Sequence, residues 1–514
     1  MRLLRSSAVV GLFTMVSRIL GFVREIMFAA FIGPGSVLDA FLQAFQFPNL
    51  FRRIFAEGAF NSAFVPLYTE RLEGDGQDEA REFAQQVASV LFTAMLVLVV
   101  AAQLAMPWLM VFLGPGFVGQ PEIFETAVLF TQITMPYLLM MSLSAMFSGV
   151  LNAHGKFAVA AAAPVLLNLT LIGIMFFSEL RGRELSYYLT WGITLSGVIQ
   201  LAWIYAAMQR LGIGLALRLP RLTPRVRKLI VLGIPGAVAA GVTQINILVT
   251  SAIATNQASA RSWLYFADRL YQLPLGVVGI AMGVVLLPTL SARLRNGDDE
   301  GASNAMNRAV EISMALTLPA AAALLAMPEF LVGALFERAR FDSNDTIMVA
   351  RALVPFALGL PAFVLVKVLA PGFFARQDTM TPMKFATVSV VVNLALGLAL
   401  FSTPLRYVGL AIATAIAGWV NTLLLAWTLH RRDVFKPDAR LMSRFPRILA
   451  AAIIMGLALR AAQYYSLELT QLFFDVPLLA VIAVSAAGAV VYGIAAIVTG
   501  ALRISDVTSS LKRS

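Results

Sequence analysis

The chain has 514 residues, 59% of them hydrophobic and 13% charged, with no cysteine and a net charge of +11. So little polar material cannot cover a soluble domain, which makes this a polytopic membrane protein, and the lack of cysteine excludes disulfides, zinc thiolates and thiol nucleophiles. The basic excess reads as loops on one membrane side rather than as a nucleic-acid surface.

The opening MRLLRSSAVVGLFTMVSRIL has basic residues ahead of an apolar run, as a signal peptide does. No small-residue cleavage site follows and the pattern continues to Phe31, which predicts a retained first helix. Apolar runs bounded by Gly, Pro and charge clusters predict an all-α protein of fourteen transmembrane helices. They lie near 7–32, 36–68, 82–113, 124–153, 158–178, 185–209, 226–256, 261–291, 306–327, 346–375, 381–402, 406–430, 445–465 and 475–501. The second is too long for one straight crossing, and Pro48 marks the expected bend. Lysine and arginine concentrate at the termini and in loops on their side, such as Arg210 to Lys228 and Arg431 to Arg447. On the other side GPGS at 33–36 is short, and Gly114 to Glu125 is acidic. Both termini are therefore expected in the cytoplasm, as an even number of crossings requires.

An internal repeat runs through this pattern. Pro66-Leu-Tyr-Thr-Glu-Arg71-Leu72-Glu-Gly74-Asp75 ends the second span, and Pro288-Thr-Leu-Ser-Ala-Arg293-Leu294-Arg-Asn-Gly297-Asp298 ends the eighth. A weaker echo links Asn152 to Asn168 with Arg376 to Asn393. An offset of six spans predicts two six-helix lobes in parallel pseudo-repeat, 1–210 and 226–432. A basic linker at 211–225 joins them, and 433–514 supplies two further helices and a tail. Folds of this type commonly hold substrate between the lobes near the midplane.

Charge inside the spans is the functional signal. Between Ser17 and Phe60 lie Arg18, Arg24, Glu25, Asp39, Arg52, Arg53 and Glu57. Each would cost about 2.5–3.5 kcal/mol at the centre of a lipid-facing helix, so these side chains must face one another or a water-filled cavity. Four arginines against three acids make such a cavity cationic, which suits an anion. Arg18 and Glu25 share a helix face and Arg53 and Glu57 can pair directly, which leaves Arg24 and Arg52 less obviously neutralised. The eighth span adds Asp268 and Arg269, and the tenth adds Lys367. If the lobes share one cavity, Arg24, Arg52 and Arg269 converge there, and guanidinium forks match a diphosphate better than a single carboxylate. Against this stands a structural reading, interhelical pairs or snorkelling anchors, which weighs most for Arg53, Glu57, Asp268 and Lys367. Pro48, Pro136, Pro274 and Pro361 are either static kinks or hinges.

No Walker loop, Gly-x-Ser-x-Gly elbow, His-Glu-x-x-His or DDxxD pattern occurs. His154 and His430 sit near helix ends, and Asp342 and Asp345 are too few for a metal site. A membrane glycosyltransferase or phosphatase would need a catalytic acid or histidine constellation that cannot be assembled, and no cofactor is expected. An exporter of cationic drugs would use an acidic or apolar cavity.

The run SRILGFVRE…DAF…FPNLFRRIFAEGAFNSAFVP, with WLYFADRLYQLPLGVVGIAMGVVLLPTLS and KVLAPGFFARQDTMTP, closely resembles the MurJ (MviN) family over essentially the whole chain. These are the lipid II flippases of bacterial cell-wall synthesis. The resemblance implies the multidrug/oligosaccharidyl-lipid/polysaccharide exporter fold in the inner membrane. It implies transport, not catalysis: undecaprenyl-diphosphate-linked disaccharide pentapeptide would pass from the cytoplasmic to the periplasmic leaflet by alternating access. It further implies that Arg18, Arg24, Arg52 and Arg269 bind the diphosphate, that Asp39 and Glu57 are functional charges, and that the last two helices form a groove for the polyprenyl tail. Glu25, Arg53 and Asp268 join them as candidate cavity charges. Expected partners of a monomeric protein are lipid II, membrane lipids and the cell-wall synthesis or division machinery. Another exporter of the same superfamily is the alternative. Some relatives hold sodium among acids of the seventh and eleventh or twelfth spans. Here Gly233 to Asn256 and Phe385 to Trp427 contain no acid, and Asn246 and Asn393 are uncharged, so sodium coupling is not expected.

Overall fold

The computed structural model describes residues 2–54 and 63–501, which are helical nearly throughout. Two compact units divide the chain, Met1–Ser262 and Trp263–Ser514. The first contains α1 (Arg2–Phe31), α2 (Ser36–Arg52), α3 (Val65–Gly74), α4 (Gln77–Leu113), α5 (Pro121–Thr134), α6 (Pro136–Ala153), α7 (Phe157–Phe177), α8 (Gly182–Arg210) and α9 (Pro224–Ala254). Helix α10 (Ala260–Arg295) starts at its end and continues into the second unit. There follow α11 (Asp299–Ala326), α12 (Pro328–Phe336), α13 (Ser343–Phe374), α14 (Met380–Phe401), α15 (Tyr407–Arg431), α16 (Ala439–Tyr464), α17 (Ser466–Leu472) and α18 (Pro477–Val498).

Each of the fourteen predicted segments contains a helix. Among the described residues ten spans are long and apolar enough to cross a bilayer: α4, α5 with α6, α7, α8, α11, α13, α14, α15, α16 and α18. Of the remaining helices, α1, α2 and α10 carry the charges singled out above. The second predicted segment holds two helices. Helix α2 runs through Pro48 to Arg52, and α3 begins at Val65. Residues 55–62, with Glu57, lie outside the described residues.

The prolines show how the spans stay intact in a medium without water. Proline removes one helical N–H and strands the carbonyl four residues earlier, and hydrocarbon offers that carbonyl nothing. Four times a neighbouring helix supplies the missing donor. Thr134 Oγ1 donates to Ala44 O at 2.8 Å behind Pro48. Gln103 and Gln132 exchange Nε2-to-carbonyl bonds of 2.9 Å each, serving Pro107 and Pro136 at once. Tyr492 Oη, on α18, donates to Ala315 O at 2.7 Å behind Pro319 of α11. Other buried hydroxyls bond back within their own helix, as Ser186 does to Gly182 O and Thr190 to Ser186 O.

In the first unit α7 packs on α1 and α8, while α2 is enclosed by α5, α6, α8 and α9. A tight joint ties α4 to the end of α9. A Cβ on Gly116, just after α4, would lie 2.0 Å from the Thr255 carbonyl oxygen, and the Gly116 N–H donates to Thr255 Oγ1 at 3.1 Å. In the second unit α13 is central, packed on α11 and α15 with 67% of its apolar span buried. Helix α14, with 11% buried, presents Val388, Val391 and Leu398 outward as a lipid-facing helix would. Helix α16 packs on α11 and α18, and Asp438 caps its first turn through the Leu441 N–H.

Candidate functional site

Helix α1 is polar on the face it presents to α7. Arg24 is buried; its Nη1 donates to Asn168 Oδ1 at 2.9 Å and its Nη2 to Glu25 Oε1 at 2.5 Å. Asn168 Nδ2 in turn donates to the Ser17 carbonyl at 2.9 Å, so one amide joins α7 to two turns of α1. The guanidinium stands 5.4 Å from the Phe28 ring centroid and 6.0 Å from that of Phe45. The expected neutralisation is thereby corrected: Glu25 bonds Arg24, its chain neighbour, and not Arg18 across the shared face. Arg18 is exposed and makes no ion pair among the described residues. Burial decides this, because a desolvated carboxylate gains most from the nearest equally desolvated cation.

Arg52, half-buried in the last turn of α2, donates from Nε to Asn49 Oδ1 at 2.7 Å. Arg53, also half-buried, follows it. Tyr137 is buried on α6, and the Arg24 guanidinium approaches Phe45, two turns before Arg52 on α2. These two cations thus share one region of the first unit, where α1 meets α2.

Asp39 lies elsewhere in that unit, buried at the first turn of α10, where it accepts from the Ser262 N–H at 2.8 Å and from Ser262 Oγ. Around it Gln46 Oε1 accepts from Arg261 Nη2 at 2.5 Å and from Ser251 Oγ at 2.9 Å, which ties α2, α9 and the start of α10 together. A carboxylate at a helix start takes up N–H groups that the helix leaves unused.

In the second unit Asp268 accepts from Gln272 Nε2, and the Arg269 guanidinium stands 4.6 Å from the Tyr265 ring centroid. Lys367 is exposed. His154 pairs with Tyr68 through Nε2 and Oη at 3.1 Å, and burial pushes its imidazole below the ordinary value.

Sequence reasoning passed over Asn168, Tyr137, Gln46 and Arg261. Asn168 had a legible signal, an amide within the apolar run of α7. It also missed Glu311, a buried acid on α11 that collects Arg444 at 2.6 Å, Arg440 at 3.3 Å and Arg308.

Residues 28–484 match the family model described as lipid II flippase MurJ. A probable lipid II flippase MurJ of Rhizobium meliloti is 48% identical over 90% of this chain and 87% of its own length. The lipid II flippase MurJ of Burkholderia cenocepacia is 33% identical over 89% of each chain. The solved inward-closed lipid II flippase MurJ superposes with a TM-score of 0.80 at 25% identity, covering 96% of this chain and 98% of its own. An inward-facing multidrug transporter of the MATE family shares the fold, with a TM-score of 0.66 at 15% identity over 84% of this chain and 99% of its own.

Proposed function

This chain belongs to the MurJ family of lipid II flippases, and from that premise we propose that it carries lipid II across the bacterial inner membrane by alternating access. The head group would enter from the cytoplasmic leaflet and leave to the periplasmic one, with both termini in the cytoplasm. The halves of the repeat, 1–210 and 226–432, are the moving parts of this proposal. It acts as a transporter and not as a catalyst.

The observation that carries the reading is the approach of the Arg24 guanidinium to α2, 6.0 Å from the Phe45 ring and two turns before Arg52. Two guanidinium forks offer the donors that diphosphate oxygens take in pairs. Arg18 and Arg269 are proposed as further diphosphate ligands on the strength of the resemblance, with Glu25, Asp39, Arg53, Glu57 and Asp268 as accompanying charges. Helices α16 and α18 pack together and expose Ile453, Leu457, Ile482 and Val490, which suits a seat for the polyprenyl tail. Membrane potential, worth about 2.3 kcal/mol per charge per 100 mV, would help the anion outward and return the empty cationic cavity.

The test is leaflet accessibility of labelled lipid II in cells depleted of the protein and supplied with variants. Arg24→Lys keeps a cation on Glu25 and removes only the fork, so it should leave the protein folded and lower translocation by at least about tenfold. Arg52→Ala should do the same. Wild-type flipping by both variants would overturn the diphosphate role.

A further inference from the structure

The second unit contains a cavity of about 730 Å³ where α12, the start of α13, the end of α16, α17 and the start of α18 meet. That size is typical of small-molecule sites. Its walls carry Glu329, Glu337 and Asp475 against the single cation Arg460, an acidic balance on a chain that is otherwise strongly basic. The acids' partners among the described residues are neutral: Glu337 accepts from Thr346 Oγ1 at 2.7 Å and Glu329 from Gln463 Nε2 at 3.5 Å. Arg460 makes one long bond, 3.4 Å to the Ala326 carbonyl. Gln463 Oε1 is shut off from solvent with no hydrogen-bond donor near it. Around the mouth stand Tyr464, 82% exposed, and Phe474, 86% exposed, with Tyr465 and Leu472 beside them. Exposed aromatics at helix ends mark the depth where head groups meet acyl chains.

We infer that this cavity seats the head group of an aminophospholipid such as phosphatidylethanolamine. The ammonium donates to the Glu329, Glu337 and Asp475 carboxylates, the phosphate takes the Arg460 fork, and the acyl chains lie along the apolar rim. A purely anionic head would meet three carboxylates. A trimethylated choline head has no N–H to give them. The assignment depends neither on the orientation of the chain in the membrane nor on the flipping proposal, because such lipids occupy both leaflets.

The experiment uses the purified full chain, stripped of lipid in detergent and then exposed to vesicles of phosphatidylglycerol containing equal phosphatidylethanolamine and phosphatidylcholine. Retained lipid is read by native mass spectrometry. The wild type should keep ethanolamine over choline lipid by about tenfold, a ratio set by charge-assisted hydrogen bonds. Glu329→Gln with Glu337→Gln should bring the ratio close to one, whereas Arg460→Gln should lower retention of both lipids and leave the ratio intact. A thermal melt checks folding. Should the double variant fail to fold, N-methylated ethanolamine lipids carry the test on wild type, with retention falling at each lost N–H. Equal retention by wild type, or an unchanged ratio in the folded double variant, would overturn the assignment. So would displacement of the lipid by a lysine-rich peptide at lower concentration, which would give the cavity to a basic protein segment.

Discussion

Each compact unit buries a charge cluster, and the two are built on opposite plans. At Arg24 one guanidinium is held by a carboxylate and an amide among aromatic rings, in mid-helix. At Glu311 one carboxylate gathers Arg308, Arg440 and Arg444 beside the first turns of α16, while Arg308 also reaches the capping Asp438. The second cluster bolts two helices together, and its acid is the indispensable member. The first has its cation at the centre and few demands on the fold. Buried charge is therefore ambiguous by itself, and which sign sits in the middle separates a fastener from a binding group.

The sharpest way to break this comparison is Glu311→Gln, which leaves three guanidinium groups around an uncharged amide. Removing one member of a buried cluster costs about 3–5 kcal/mol, so the variant should melt many degrees below wild type in detergent. Arg24→Lys should melt close to wild type and lose flipping. If instead Glu311→Gln melts normally and Arg24→Lys does not, the two roles are exchanged.

Smaller effects probe the proline repairs. Tyr492→Phe and Thr134→Val each strand a carbonyl in hydrocarbon and should destabilise by about 0.5–2 kcal/mol, read as a modest fall in melting temperature with flipping retained. Unchanged melting in both would mean that water or a neighbouring group replaces the donor.

The smallest effect belongs to the surface. The Arg432 hydrogen bond, helped by Thr381, holds the Asp378 carboxyl down from its ordinary 3.8 to about 2. A depressed carboxyl stabilises the fold above its unfolded value and loses that contribution as pH falls from about 4 to about 2. Solvent screening limits the pair to well under about 1 kcal/mol. Asp378→Asn should flatten that part of the stability profile and change little at neutral pH.

The helices were legible because hydrocarbon leaves the backbone no alternative, and apolar length with punctuation reports them directly. Partner choice was not. Helical spacing set Glu25 with Arg18, yet long side chains on adjacent residues meet when both are buried, as Arg24 and Glu25 do. Spacing along one chain also says nothing of Asn168, whose contact with Arg24 depends on how α7 lies on α1. Pro48 was legible as a bend; the hydrogen bond from Thr134, on another helix, to the carbonyl that the proline strands in α2 was not. Apart from the Arg24–Glu25 pair within α1, these misses concern contacts across helices that no periodicity encodes. Asp39 read as intramembrane charge while Glu311 went unread, and their partners Ser262 and Arg444 lie more than a hundred residues away in sequence.

The joint at Gly116 has a mechanical corollary. With the glycine seated against the Thr255 carbonyl, even one methyl group would force the two backbones apart. The end of α9 is thus clamped like a shaft in a collar, and a side chain at Gly116 would loosen the joint between α4 and α9 rather than either helix alone.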